Sequence, residues 1–84
     1  MYKIVFSPLA VKDLEKINAY GLGKDVKDLM DLLRDNPFKT EPPYISLVGE
    51  LTGACSRRIN FHHRLVYHVE EAIKTIQILS LWNY

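Results

Sequence analysis

Lys24-Asp25-Val26-Lys27-Asp28-Leu29-Met30-Asp31-Leu32-Leu33-Arg34-Asp35-Asn36-Pro37-Phe38-Lys39-Thr40-Glu41-Pro42-Pro43-Tyr44-Ile45-Ser46-Leu47-Val48 is the stretch in which the chain changes texture. Val26, Leu29, Met30 and Leu33 recur at i, i+3, i+4 and i+7, the spacing of one helix face, while Lys27, Asp28, Asp31, Arg34 and Asp35 point away. The stripe reads as core and the acids as a solvated surface; Leu32 lies off the stripe, free to meet something else. Asn36-Pro37 stops the helix, and three prolines within residues 37–43 forbid either regular structure there. Beyond them the pattern turns strand-like. Segments near 45–48, 55–61, 64–70 and 73–81 alternate or run apolar, with Gly49, Gly53, the Asn60 to His63 stretch and Glu70-Glu71-Ala72 as the turns between them.

Upstream of the quoted stretch, residues 2–6 alternate and are rich in β-branched and aromatic side chains, as a strand requires. Ser7-Pro8 then reads as a helix cap followed by proline at the first helical position. A first helix is expected from about Pro8 to Tyr20 with Ala10, Val11, Leu14 and Ile17 as its apolar face. Gly21-Leu22-Gly23 ends it. The glycines suit a tight link between helices better than a phosphate cradle, because Lys24-Asp25 completes no glycine-rich fingerprint. The order βααββββ predicts an α+β domain over residues 1–84: an antiparallel sheet of four to five strands with both helices laid on one face.

Composition agrees with one globular unit. With 84 residues, 48% of them hydrophobic and 25% charged, the chain is too short for two cores and too apolar for disorder. A chain this small buries only about 60% of the surface its unfolded form exposes, which leaves room for a partner or a second copy. The single Cys55 excludes an internal disulfide, and its place beside a strand-like run suits a small buried hydrophobe rather than a nucleophile. With neither a leader pattern nor a long apolar run, a cytoplasmic protein away from membranes is expected. No cofactor fingerprint stands out. Adjacent His62 and His63 lack a third ligand, so no metal site is expected.

The net charge of +1 conceals an asymmetry. Residues 1–50 carry seven Lys/Arg against eight Asp/Glu, whereas 51–84 carry four against two, and 51–69 hold Arg57, Arg58, Arg64 and all three histidines with no acid. Along 55–60 the side chains alternate, so Ser56, Arg58 and Asn60 share one side and Arg57 and Ile59 the other. Arg64, Val66 and His68 share a side of the next strand. Antiparallel pairing could bring an arginine of the first strand beside Arg64. Like charges so placed repel unless an anion lies between them, and a guanidinium fits phosphate oxygens in pairs. The competing reading is that these arginines are solvated or paired to Glu41, Glu50, Glu70 or Glu71. His68 reads equally well as an outward strand residue, and no Ser-His-Asp or Cys-His arrangement stands out.

Leu51-Thr52-Gly53, Ser56-Arg57-Arg58-Ile59-Asn60, His63-Arg64-Leu65-Val66-Tyr67 and the terminal Trp82-Asn83-Tyr84, with Asn36-Pro37-Phe38 ahead of the loop, resemble the signature of YoeB-type toxins of the RelE superfamily. The resemblance covers nearly the whole chain. It implies a type II toxin–antitoxin toxin: a ribosome-dependent messenger RNA endoribonuclease that inhibits translation, needs no cofactor and is neutralised by a cognate antitoxin. Operator DNA would be reached only through that antitoxin, and a homodimer is compatible with the size. By resemblance, Arg64 matches the phosphate-stabilising arginine and Tyr84 the terminal tyrosine, while Arg57 and Arg58, with His63 beside Arg64, would contact RNA. Two positions depart from the pattern. The family's glutamate base falls on Ile45 or its neighbour Tyr44, and its penultimate histidine is Asn83, the third residue of the implied catalytic set. Neither isoleucine nor asparagine titrates near neutral pH. Tyr84, His62, His63 or Glu41 could substitute for the missing groups. The alternative is therefore a weakened or inactive toxin homologue that acts by binding antitoxin, as a co-repressor module.

Overall fold

In the computed structural model, residues 1–49, 53–60 and 62–82 are described. The chain runs β1 (Lys3–Phe6), α1 (Pro8–Ala19), α2 (Gly23–Asp35), β2 (Tyr44–Ser46), β3 (Ala54–Arg58), β4 (Arg64–Glu70), a 3-10 turn (Glu71–Ile73) and β5 (Thr75–Ser80). The strands form one sheet in the order β1-β5-β4-β3-β2. From β2 to β5 it is the antiparallel meander that the sequence predicts. The expected all-antiparallel sheet needs one correction, because β1 pairs in parallel with β5, Ile4 opposite Ile76 and Phe6 opposite Ile78. The cause is directional. Three connections carry the chain from β1 through the helices to an oppositely directed β2, and three further reversals return β5 to the heading of β1.

Local chemistry sets the helix ends. Ser7 Oγ accepts from the Ala10 N–H at 3.0 Å and donates to the Leu79 carbonyl at 2.9 Å, capping α1 and tying it to β5. At the other end Gly21 takes a φ of +75°, Gly21 N–H bonds Asn18 O and Leu22 N–H bonds Ile17 O, a pattern that needs a left-handed residue. The core lies between the helices and one sheet face: Ala10 and Ile17 of α1, Val26, Leu29, Met30 and Leu33 of α2, and Leu65, Tyr67, Ile76 and Ile78 of the sheet. Each such aliphatic side chain contributes about 1.5–3 kcal/mol on burial. The α2 stripe is as expected, and that of α1 is rotated. Val11 is 50% exposed, and the polar Asp13 lies inside with its Oδ2 accepting the buried Leu81 N–H at 3.0 Å. One hydrogen bond to a strand end thus outweighs the apolar preference of Val11.

Candidate functional site

With the helices on one side, alternation assigns the other sheet face to Ile45 of β2, Ser56 and Arg58 of β3, and Arg64, Val66 and His68 of β4. Arg58 and Arg64 are direct cross-strand partners, as are Ser56 and Val66, and Ile45 and Ser56. The arginine pairing suggested by the sequence is therefore present. Arg64 does not swing freely, because its Nε donates to Ser56 Oγ and its Nη2 to the Ser56 carbonyl at 3.3 Å. Ser56 is only 1% exposed, so the anchor is rigid. The Nη1 end of Arg64 has no acceptor among the described residues. Two of the acids weighed as partners are engaged elsewhere, Glu70 with His68 at 2.9 Å and Glu71 with Lys74 at 2.8 Å. A half-buried guanidinium held from one side, beside a second arginine, is suited to receiving a phosphate.

Arg57 does not belong to this surface, which corrects the expectation that it contacts RNA. It lies on the helix side of the sheet and is fully buried. Its Nε donates to Tyr67 Oη at 2.9 Å, its Nη2 to the Pro37 and Lys39 carbonyls at 2.9 and 2.6 Å, and its Nη1 to the Pro42 carbonyl. The guanidinium also sits 4.7 Å from the centre of the Tyr44 ring. A loop this rich in proline lacks N–H groups to organise itself, and one buried arginine satisfies three of its carbonyls instead. Burial pushes the Tyr67 hydroxyl up to about 12, an effect the neighbouring Arg57 charge partly offsets.

His63 packs against Trp82, the rings stacked at 4.4 Å and 25°, with Nδ1 on the Trp82 carbonyl. A carbonyl only accepts, so Nδ1 carries the hydrogen and Nε2 faces outward as the proton-accepting end. Tyr20 meets Trp82 edge-on at 4.9 Å, and Lys16 Nζ stands 5.7 Å from its ring centre. The turn before Arg64 is made by Asn60, whose Oδ1 accepts the His62 and His63 N–H groups, both at 2.9 Å. His68 faces outward, its Nδ1 3.0 Å from the Gly53 carbonyl. Among the described residues no cluster of His, Cys, Asp or Glu could hold a metal ion, and no helix is long and apolar enough to cross a membrane.

Comparison with known proteins gives this geometry its context. Residues 4–83 match the ParE toxin family of type II toxin–antitoxin systems (parDE). The chain belongs to that family. The toxin is also similar to YoeB in the YoeB–YefM complex of Staphylococcus aureus, at 31% identity and a TM-score of 0.83, over 100% of this chain and 98% of that one. The RelBE2 toxin–antitoxin complex of Mycobacterium tuberculosis matches at 26% identity and 0.77, over 99% and 98%. The YoeB/ParE toxin of Agrobacterium tumefaciens shares the fold at a TM-score of 0.88 and 24% identity, over 98% of both chains. A search among curated proteins finds no match. The toxin thus has the RelE/YoeB-like fold that its motifs imply.

Of the two positions onto which the family's base could fall, the toxin places only Ile45 on the face of Arg64, beside Ser56 and 53% exposed. Tyr44 turns to the other side, over Arg57. Glu41 is exposed in the loop. Asn83 and Tyr84 lie outside the described residues, as does Glu50. The sequence reading missed Ser56 as the anchor of Arg64; its signal was an uncharged hydroxyl on the same strand side as Arg58.

Proposed function

We propose that this toxin is a ribosome-dependent messenger RNA endoribonuclease that inhibits translation and is neutralised by a cognate antitoxin. The observation that carries the reading is the Ser56-anchored Arg64, its Nη1 end unmatched among the described residues, standing opposite Arg58 on the sheet face that no helix covers. In the reaction the 2′-oxygen of one nucleotide attacks the adjacent phosphorus in line. The bond from phosphorus to the 5′-oxygen breaks, leaving a 2′,3′-cyclic phosphate and a 5′-hydroxyl. The 2′-OH proton passes to a base, and the departing 5′-oxygen takes one up. Arg64, with Arg58 beside it, neutralises the charge that grows on the non-bridging oxygens. Ile45 offers no base at the position that shares the face. Proton transfer falls instead to solvent or to groups such as Tyr84 and His63, and the rate depends chiefly on electrostatic stabilisation. Asn83, at the family's histidine position, would orient rather than titrate.

The partner assignment follows its relatives: YoeB of S. aureus was solved in complex with YefM and as a dimer, and RelBE2 is itself a toxin–antitoxin complex. An antitoxin, and a second copy of the chain, are accordingly proposed here, with operator DNA reached through the antitoxin and action in the cytoplasm, where ribosomes and message lie. The test is inducible expression in a bacterial host with primer extension on translated messages. Wild type cuts and Arg64→Ala does not, while both fold alike, since Arg64 is outside the core. Equal cutting by Arg64→Ala would refute the site, and silence of the wild type would leave a toxin that acts by binding alone.

A further inference from the structure

One surface remains outside the reading above. A groove of about 240 Å³ runs between α2 and the end of β3. Asp25, Asp28, Leu29 and Leu32 form its helix wall, at i, i+3, i+4 and i+7. Pro42, Arg58 and Ile59 face them. Leu32, off the core stripe, thus has an apolar setting beside Leu29, Pro42 and Ile59, with carboxylates on one rim and a guanidinium on the other.

The groove is built rather than incidental. The carbonyl of Pro42 is held by the fully buried Arg57, which also fixes the Pro37 and Lys39 carbonyls of the same loop. That wall is therefore preformed, which lowers the ordering cost of binding. At about 240 Å³ the groove falls below the roughly 300–1,000 Å³ of small-molecule sites, and it suits one or two side chains of a docked segment. Its charges choose the segment. Asp25 has no ion pair among the described residues, and Asp28 pairs only with Lys24, 85% exposed, so that exchange for a partner's cation costs little. Two carboxylates one turn apart repel each other and would repel a nucleic-acid phosphate as well.

We propose that this groove docks a protein segment carrying an aliphatic residue between a basic and an acidic one. The aliphatic side chain sits against Leu29, Leu32, Pro42 and Ile59, the lysine or arginine against Asp25 and Asp28, and the carboxylate against Arg58. The occupant is the antitoxin, and to that extent the inference rests on the function proposed above. Because Arg58 is the strand partner of Arg64, the docked segment also withdraws one arginine from the phosphate site.

The experiment titrates the product of the reading frame beside this gene against purified toxin, wild type and Asp25→Asn/Asp28→Asn, at low and high salt, with hydrogen exchange on the complex. Thermal melts of the free variants check the fold. The double variant binds roughly 3- to 30-fold more weakly at low salt, the gap closing at high salt, and residues 25–32 are protected in the wild-type complex. Unchanged affinity with 25–32 unprotected overturns the groove and leaves the antitoxin reading standing. No complex at all overturns both. An effect on self-association or on RNA affinity in place of antitoxin affinity assigns the groove another occupant and overturns the proposal.

Discussion

Arg57 and Arg58 are adjacent in sequence and opposite in setting, and substituting each by methionine separates the two roles. Arg57→Met removes the donors from the Pro37, Lys39 and Pro42 carbonyls and from Tyr67 Oη. The three carbonyls belong to a loop that can turn to water, but Tyr67 is fully buried and its hydroxyl stays behind without that partner, at about 1–3 kcal/mol. Loss of the loop's anchorage adds to this, and relief from burying a charge subtracts, so the net is about 2–4 kcal/mol. At 84 residues the whole stability is roughly 4–13 kcal/mol, and each kcal/mol moves the midpoint by about 4–8 °C, so Tm falls by roughly 10–30 °C. Arg58→Met is on the exposed side and changes stability by about 0.5 kcal/mol at most while weakening RNA binding. Melting followed by circular dichroism reads both variants. A Tm for Arg57→Met within about 4 °C of wild type would refute the clamp.

The Tyr67 hydroxyl, pushed up to about 12, contributes stability that is complete below its ordinary titration near 10 and is lost as pH rises through 12; denaturation between pH 9 and 12 should show this fall, flattened in Tyr67→Phe. Asp13→Ala strands the buried Leu81 N–H and should cost about 1–3 kcal/mol in urea unfolding, while Asp13→Asn, which keeps an acceptor, should cost less. Ile45→Glu with Asn83→His restores titratable groups at the two departures and should raise message cleavage by roughly one to several powers of ten in primer extension; no gain would mean that the framework is otherwise incompetent.

How far the sequence could be read depends on how local each determinant is. The α2 stripe, the Ser7-Pro8 cap and the glycine stop are set by neighbours a turn or less away, and all three appear as expected. The parallel β1–β5 pair depends on the summed heading of every intervening element, which no local pattern contains. Val11 and Asp13 exchange places for a related reason. The partner of Asp13 is a backbone N–H 68 residues away, invisible to helical periodicity.

The site follows the same division. Alternation alone separates Arg58 from Arg57, and antiparallel pairing alone brings Arg58 opposite Arg64, so both were legible before any coordinates. Alternation could not say which side was inside. That is decided by the helices, which cover the face of Leu65 and Tyr67 and so enclose Arg57, the cross-strand partner of Leu65. Enclosed, a permanent cation must find acceptors, and the proline loop supplies the carbonyls that prolines leave unbonded. The arginine pair is thus one strand serving two faces: Arg57 fixes the loop that leads into β2, while Arg58 meets the open surface. Ile45 comes next along that path, held in register with Ser56. Its position in the site is therefore set by Arg57, and only its chemistry departs from what cleavage by proton transfer requires.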